Sequence, residues 1–298
     1  MNRFEYFAPE TVREAAEVLQ AHPGARVLAG GTDLLVQMKE RARTPDTLVD
    51  VRRIPGVDEL RFDRKTGLTI GAAVTMRQVE LMPAAQLHYT GLAEGARVVG
   101  SFQIRNLATI VGNICNAAPS ADAAPGLIVV GAKVKIAGPK GRRTMLVENF
   151  MVGPGRTTLG TGEFVVGIHV PVPPPRTGSA YVRHTPRGAM DIAMVGVGAA
   201  VTLAPRTRDC QEARIVLGAV APTPLRAKAA ERMLKGQRLT GELIERAAET
   251  AAEEARPISD VRGSADFRRE MVRVLTGRMV NSAFGNAQER SGVKRRAA

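Results

Sequence analysis

Two glycines, a threonine and an aspartate follow a short apolar segment in the stretch ARVLAGGTDLLVQMKE, residues 25–40. Gly30 and Gly31 would let the backbone approach an anionic oxygen closely, and Thr32 can donate a hydroxyl hydrogen bond. The amphipathic run after them predicts a helix, capped by Asp33, whose free N–H groups and dipole favour phosphate. The spacing differs from the dinucleotide fingerprint, so the turn alone fits either a phosphate site or a tight turn without a ligand.

A second stretch of similar chemistry is ATIVGNICNAAPSAD, residues 108–122. Thr109, Gly112, Asn113 and Asn116 supply small or hydrogen-bonding groups to a backbone that we predict is not regular helix. Two such turns in one chain can clamp one pyrophosphate from both sides, which is a more specific hypothesis than either turn alone.

The residues around this second stretch, 101–127, are rich in Asn, Ser, Ala and Pro and show little periodicity. An irregular segment of this length inside a domain is usually functional, so we predict a functional loop. Asp122 near its end has two interpretations, which the residues alone leave open. It can hydrogen-bond a ribityl or ring group of a cofactor, or it can cap the helix that follows.

The elements that position the first turn form a compact unit. Thr11 and Glu14 have the spacing of a capping box at the start of a helix. Strands are predicted at 25–30 and 46–51, with a helix at 33–40 between them. Strand, helix and strand in this order predict a βαβ unit with a parallel sheet.

The second turn lies among elements of a different order. They are strands at 67–73, 132–138 and 163–171, a helix at 90–99, and a helix from Thr75 that forms a capping box with Gln78. The proline-rich stretch PVPPPRTG, residues 171–178, then predicts a stiff linker.

Beyond the linker, strands precede helices, which is typical of an α+β domain. The strands are predicted at 179–185, 190–204 and 212–220, and the helices at about 224–235, 240–255 and 264–283. The whole chain is therefore predicted to be α+β. Its predicted parts are two α/β subdomains at 1–55 and 56–173, a C-terminal domain at 178–284 with a three-stranded antiparallel sheet and helices, and a basic tail at 285–298.

Composition excludes several classes of protein. The 298 residues contain no apolar run long enough for a membrane span and no secretory signal pattern, so we expect a cytoplasmic protein. Cys115 and Cys210 are too far apart for a zinc or iron–sulfur site, and the four histidines lack metal-ligand spacing, so no metal is expected in this chain. The net charge of +13 is dispersed and comes without tryptophan, which argues against nucleic-acid binding.

The motifs named above, in this order, resemble one family. With the opening FEYFAPETVREAAEVL, the GPGRTTL turn and RGAMDIAMVGVGAAV in the last domain, the sequence is similar to the FAD-binding medium subunits of molybdenum hydroxylases. That group includes the medium subunit of carbon monoxide dehydrogenase and the flavin domain of xanthine dehydrogenase. The resemblance covers almost the whole chain and implies an FAD-binding domain of the PCMH type.

The resemblance also implies which residues contact FAD. The first motif, which wraps the pyrophosphate in the family, comprises Leu28, Ala29, Gly30, Gly31, Thr32, Asp33 and Leu34. The second motif, which closes from the other side, comprises Thr109, Ile110, Val111, Gly112 and Asn113. Further matching positions are Asn116, Asp122, Val165, Tyr181 and Arg183.

One departure from the family bears on the second motif. Val111 stands where the family usually has a glycine. A positive φ would strain a β-branched residue, so we predict ordinary β backbone there; the alternative is weakened FAD binding.

The function implied is electron transfer within a three-component enzyme. A molybdenum cofactor in a large partner subunit would oxidise the substrate, and [2Fe–2S] clusters in a small partner would pass electrons to FAD in this chain. FAD would reduce an external acceptor, and no catalytic acid or base is expected in this chain. A dimer of heterotrimers is implied. Two alternatives stay open: a stand-alone FAD-dependent oxidoreductase, and a non-catalytic assembly subunit, which Val111 favours.

Overall fold

The computed structural model describes residues 2–188 and 190–290, and its first 55 residues contain a small parallel sheet. The elements are β1 (Glu5–Phe7), α1 (Val12–Ala21), β2 (Arg26–Leu28), α2 (Leu34–Lys39) and β3 (Thr47–Asp50). The strand order is β1-β3-β2, and both pairings are parallel. The predicted βαβ unit is therefore confirmed, and β1 is an additional strand.

The predicted capping box of α1 is only half present. The Thr11 hydroxyl accepts a hydrogen bond from the Glu14 N–H at 3.1 Å. The Glu14 carboxylate, however, accepts from the N–H of Glu10 at 3.0 Å instead of that of Thr11.

The middle region is built on a five-stranded antiparallel sheet of order β4-β5-β10-β6-β7. Its strands are β4 (Leu60–Asp63), β5 (Gly67–Gly71), β6 (Lys133–Gly138), β7 (Gly141–Leu146) and β10 (Phe164–Val170), while β8 (Met151–Gly153) and β9 (Arg156–Thr157) form a separate small hairpin. One face of the sheet is apolar and buried, with Ile70, Ile136 and Ile168 almost inaccessible to solvent.

Six helices accompany this sheet. They are α3 (Met76–Leu81), α4 (Pro83–His88), α5 (Thr90–Arg97), α6 (Phe102–Arg105), α7 (Ile110–Asn116) and α8 (Ala123–Val129). The capping box of Thr75 and Gln78 at α3 is confirmed. The prediction of an irregular loop at 101–127 is wrong, because this segment contains α6, α7 and most of α8.

The physical reason for that error is helix length. The helices α6 and α7 have four and seven residues, which is too few for an amphipathic period to appear. Every residue of α8 is buried, so this helix has no polar face.

The C-terminal domain has a four-stranded antiparallel sheet packed on helices. Its elements are β11 (Thr177–His184), β12 (Val195–Leu203), β13 (Cys210–Gly218), β14 (Leu225–Arg226), α9 (Lys228–Leu234), α10 (Gly241–Glu254) and α11 (Ala265–Glu289). The prediction of three strands missed β14, which is only two residues long. Strand β12 begins at Val195 instead of 190. Helix α11 includes residues 285–289, which the prediction assigned to a basic tail; residues 291–298 of that tail lie outside the described residues.

Glycines allow close backbone contact within the middle region and between that region and the C-terminal domain. A Cβ on Gly126 of α8 would lie 2.6 Å from the carbonyl oxygen of Gly91 in α5. A Cβ on Gly91 would lie 3.0 Å from the backbone of Ala180 in β11. Glycine is therefore needed where α5 contacts both its neighbouring helix and the C-terminal sheet.

Among the described residues, no helix is long and apolar enough to cross a membrane.

Gly178 of β11 tests this type of packing. A Cβ there would lie 2.2 Å from the carbonyl oxygen of Ala283 and 2.3 Å from the amide nitrogen of Ala287, both in α11. We expect Gly178→Ala to destabilise the protein by about 3 kcal/mol, because the helix must move away from the sheet. Thermal unfolding followed by circular dichroism measures the loss. Gly241→Ala is the matched control, since a Cβ there would meet nothing within 4 Å; an equal midpoint for both variants would contradict the packing argument.

Candidate functional site

A cleft of about 760 Å³ lies between the first sheet and the middle region, with the C-terminal domain at one end. Its volume lies within the range of roughly 300–1,000 Å³ that is usual for small-molecule and cofactor sites. The walls come from β2 and the turn before α2, the first turn of α7, residues 155–165, Arg183 and residues 191–193.

The glycine turn forms one wall. Gly31 has a φ of +70°, which favours glycine. Gly30 lies so close to the second motif that a Cβ would be 2.1 Å from the carbonyl oxygen of Leu107. The two predicted motifs are therefore in direct backbone contact.

The start of α2 leaves backbone donors without acceptors. Asp33 occupies the N-cap position, but its side chain makes no capping hydrogen bond, so its predicted capping role is wrong. Within the described chain, the N–H groups of Thr32, Asp33 and Leu34 have no acceptor. Such groups need an external acceptor, and an anionic oxygen at a helix start supplies one.

The start of α7 forms the facing wall. The Thr109 hydroxyl accepts from the Gly112 N–H at 2.9 Å and caps the helix. The Ala108 carbonyl accepts from the N–H of Met76 at 2.8 Å, which fixes this turn to the start of α3.

Val111 lies in the first turn of α7 and is buried. Its N–H group has no acceptor among the described residues. The backbone here is right-handed helix, so the prediction of β backbone is wrong, because the motif continues directly from its cap into a helix. A β-branched residue is unstrained in this conformation, so the glycine-to-valine change leaves the backbone intact. Gly112 and Asn113 are also helical, contrary to the prediction for this stretch.

Polar contacts hold the two helix starts and the neighbouring turn together. The Gln37 side-chain amide of α2 donates to the side-chain oxygen of Asn116 at 3.4 Å. The N–H of Gly155, in the GPGRTTL turn, donates to the carbonyl of Ala117 at 3.0 Å. The side-chain oxygen of Asn113 accepts from the N–H of Ala123 at 3.4 Å.

Asp122 is part of a buried cluster that connects the middle region to β11. Its carboxylate accepts from the Tyr181 hydroxyl at 2.7 Å and from the Arg183 guanidinium at 2.7 Å. It makes no capping hydrogen bond to α8, so the capping interpretation is wrong. Burial raises the pKa of Asp122, although Arg183 and Tyr181 oppose this shift, and burial raises the pKa of Tyr181 well above its ordinary value.

The structure brings the predicted site residues into this one cleft, except Ile110 and Tyr181. Ile110 is fully buried in the core beneath the start of α7, and Tyr181 lies behind Asp122. Val165 and Arg183, which are distant in sequence from the two motifs, line the cleft. The contact of each residue with FAD stays a prediction.

Sequence reasoning missed several residues of the cleft. They are Arg26, Arg43, Ser120, Arg156, Gly160, Glu163, Asp191 and Ile192. Arg26, Arg43 and Arg156 have no ion pair within the described residues, so they give this wall a positive charge. The GPGRTTL motif could have pointed to Arg156 from the sequence. Arg26 and Arg43 are isolated arginines, and the sequence around them carries no such motif.

Metal binding has no support among the described residues, where no group of three His, Cys, Asp or Glu side chains is placed to hold an ion. Cys115 lines the cleft and Cys210 is buried in the C-terminal domain. Burial raises the pKa of each thiol to about 12, so both are protonated at neutral pH.

Within the described residues, two facing helix starts have free N–H groups and the neighbouring arginines have no ion pair. These features define a protein that binds a nucleotide-type cofactor. The family described as the FAD binding domain in molybdopterin dehydrogenase matches residues 2–173, and the CO dehydrogenase flavoprotein C-terminal domain matches residues 180–283. The chain therefore belongs to the FAD-binding medium subunits of the molybdenum hydroxylases, and it is an oxidoreductase subunit.

Individual relatives agree along nearly the whole chain. The carbon monoxide dehydrogenase medium chain of Hydrogenophaga pseudoflava is 37% identical over 285 residues, covering 95% of this chain and 97% of that one. The xanthine dehydrogenase FAD-binding subunit of Escherichia coli O157:H7 is 32% identical over 283 residues, covering 95% and 96%.

Solved structures confirm the fold. Carbon monoxide dehydrogenase from Hydrogenophaga pseudoflava, in a form that lacks the Mo-pyranopterin moiety, superposes with a TM-score of 0.90 at 36% identity, covering 96% of this chain and 98% of that chain. Quinoline 2-oxidoreductase from Pseudomonas putida 86 gives a TM-score of 0.88 at 30% identity, covering 96% and 98%. The α+β class and the resemblance to the family are thus confirmed.

Gly30 tests the contact between the two motifs. Gly30→Ala forces the glycine turn away from Leu107, so we expect the purified protein to retain less than about a tenth of its FAD, a loss equivalent to about 1.4 kcal/mol or more. The ratio of flavin absorbance to protein measures this. Gly160→Ala is the control within the same cleft, because a Cβ there has its nearest neighbour at 3.5 Å. Full flavin content in Gly30→Ala would contradict the role assigned to this contact.

Glu163 holds the wall formed by residues 155–163 and makes stability depend on pH. Its carboxylate accepts from Arg143 at 2.7 Å and from the Gly160 N–H at 2.8 Å, and the hydrogen bond from Arg143 is the main reason that its pKa falls to about 2. A lowered pKa contributes stability above the unfolded value of roughly 4.3, and this stability is lost as pH falls toward 2.

We therefore expect Glu163→Gln to remove about 1 kcal/mol of stability at pH 7, a value reduced by solvent screening, and much less near pH 2. Urea unfolding as a function of pH measures the difference. Glu249→Gln, at an exposed position of α10 without an ion pair among the described residues, should show no such pH-dependent difference. The same loss at both pH values would refute the electrostatic explanation.

Proposed function

We propose that this chain is the flavoprotein subunit of a molybdenum-containing hydroxylase. It holds FAD in the cleft, receives electrons from [2Fe–2S] clusters of a small partner subunit, and passes them to an external acceptor. The molybdenum cofactor that oxidises the substrate belongs to a large partner subunit. The observation that carries the proposal is the pair of facing helix starts with free N–H groups, together with the family match over residues 2–173.

The chain's own residues bind and orient the cofactor. The free N–H groups of Thr32, Asp33, Leu34 and Val111 would hold the pyrophosphate, and Arg26, Arg43 and Arg156 would offset its charge. FAD, when bound, supplies the capacity to accept and release electrons. The seventeen positions that the resemblance implies, from Leu28 to Arg183, are proposed as FAD-contacting or FAD-supporting residues.

Asp122, Arg183 and several apolar residues supply the remaining contacts of the cleft. Asp122 fixes the Arg183 guanidinium, whose charge can stabilise an anionic group of the cofactor. Val99, Ile104, Val165 and Ile192 present apolar surface that excludes water. Tyr181 would support Asp122 from behind instead of touching the cofactor.

Three of the four acidic residues that line the cleft are paired with a cation, which favours a subunit over a stand-alone enzyme. Asp122 is paired with Arg183, Glu163 with Arg143, and Asp191 with Arg187. The fourth, Asp33, has no ion pair among the described residues, and burial raises its pKa; it lies at the start of α2, where the pyrophosphate is proposed to bind.

The pKa is lowered at Glu163, chiefly by the hydrogen bond from Arg143, and at Asp191, which makes these two carboxylates poor general bases for an organic substrate. The pKa of Asp122 is raised by burial, but its carboxylate is occupied by hydrogen bonds from Tyr181 and Arg183.

The assembly follows the family. We propose a heterotrimer that associates in pairs and works in the cytoplasm. The division of this chain into parts at residues 1–55, 56–173 and 178–284 is proposed on the same basis.

Anaerobic spectroscopy tests the proposed function. We expect the purified chain to carry FAD that dithionite reduces directly, whereas an organic substrate of the complex reduces it only when the partner subunits are present. The absorbance near 450 nm reports flavin reduction in both arms. Rapid reduction of the isolated chain by organic substrates would favour a stand-alone enzyme, and lack of flavin in the intact complex would favour an assembly subunit.

A further inference from the structure

One face of the five-stranded sheet carries a cluster of cations. The strand register places Lys133 opposite His169 and Leu146, and Lys135 opposite Thr144. Alternate residues of a strand share a face, so these side chains lie together. We call this surface the basic sheet face; it comprises Lys133, Lys135, Arg142, Thr144, Leu146 and His169, with Lys140 in the adjoining hairpin.

The basic sheet face is the outer side of the sheet. Val134, Ile136 and Ile168 point to the opposite side, where they are buried in the core with residues of α1 and α7. Lys133 and Arg142 are exposed, and Leu146, which lies opposite Lys133 in the sheet, is 37% exposed. Strand β7 is also an edge strand, so its outer backbone groups have no neighbouring strand among the described residues.

The cations of the basic sheet face are unpaired within the described residues, although Lys140 contributes to the positive charge that lowers the pKa of Glu163. Within the described chain, Lys133, Lys135, Lys140 and Arg142 form no ion pair. By contrast, Arg143 on the other face of β7 is paired with Glu163.

The far edge of the same face differs in charge. There, on β4, Arg61 is paired with Glu59 at 2.8 Å, and Asp63 adds a second carboxylate. The positive charge is therefore concentrated at β6 and β7. This charge also affects His169, whose pKa is lowered by burial and by the nearby Lys135 and Lys133.

We propose that the basic sheet face docks an acidic surface of another protein subunit. Like charges on neighbouring strand positions repel one another, and opposing carboxylates would remove that repulsion. Leu146 adds an apolar contact beside Lys133, at the end of β7. The surface is a flat sheet without an aromatic stacking platform, so it fits an acidic protein better than a nucleic acid.

This inference rests on the proposed function, because the docked subunit is one of the two partners of the complex. The test uses the complete complex, purified through the large subunit. Lys133→Glu/Lys135→Glu reverses two charges of the basic sheet face, and Lys235→Glu/Arg238→Glu reverses two exposed charges of the C-terminal domain as a matched control. FAD content is measured in each preparation, and the affinity of this chain for the partner subcomplex is measured at low and high salt.

We expect the Lys133→Glu/Lys135→Glu variant to keep its FAD and to bind the partners at least roughly tenfold more weakly at low salt. The control should bind as the wild type does. Equal affinity of the two variants would overturn the inference while leaving the proposed function intact. Wild-type chain that holds FAD but binds no partner would overturn both. Binding of wild-type complex to double-stranded DNA, abolished in Lys133→Glu/Lys135→Glu with partner affinity unchanged, would assign the face to nucleic acid and also overturn the inference.

Discussion

The backbone contact between Gly30 and Leu107 is the constraint on which the cofactor cleft depends. It brings the start of α2 in the first subdomain directly against the segment that leads into α7 in the middle region. Any side chain at Gly30 would collide with the Leu107 carbonyl, so the two helix starts can face one cleft only if this residue is glycine. The glycine thus packs two parts of the chain together, in addition to leaving room for a phosphate oxygen.

The remaining walls are held by contacts that extend outward from this point. Hydrogen bonds between the 74–76 and 108–110 segments fix the start of α7 to the middle region. The Gly155 N–H connects the GPGRTTL turn to the end of α7. Asp122 then connects the middle region to Tyr181 and Arg183 of the C-terminal domain. Each part of the chain therefore contributes a wall, and none of the three could form the cleft alone.

The sequence was sufficient to predict the two motifs, the α+β class and the family. Glycines, small polar residues and apolar strands are local signals, and the motifs meet as expected. Local sequence patterns gave wrong predictions where contacts in the folded structure determine the role of a side chain. Asp33 looks like a helix cap, yet its side chain makes no capping bond. Asp122 looked like either a cap or a cofactor ligand, yet its carboxylate pairs with residues about sixty positions away.

Short elements were the other source of error. The helix α7 has seven residues and β14 has two, and neither shows a measurable period. The prediction of β backbone at Val111 failed for the same reason, because Val111 lies in this seven-residue helix. Arg26 lies in β2 and Arg43 lies in the segment between α2 and β3, so no pattern along the sequence could group them.

A crystal structure of the chain with FAD bound would show where the pyrophosphate lies. We expect it between the starts of α2 and α7, with its oxygens within about 3 Å of the N–H groups of Thr32, Asp33 or Leu34 on one side and of Val111 on the other. A pyrophosphate held elsewhere, with these N–H groups bound only to water, would contradict this expectation.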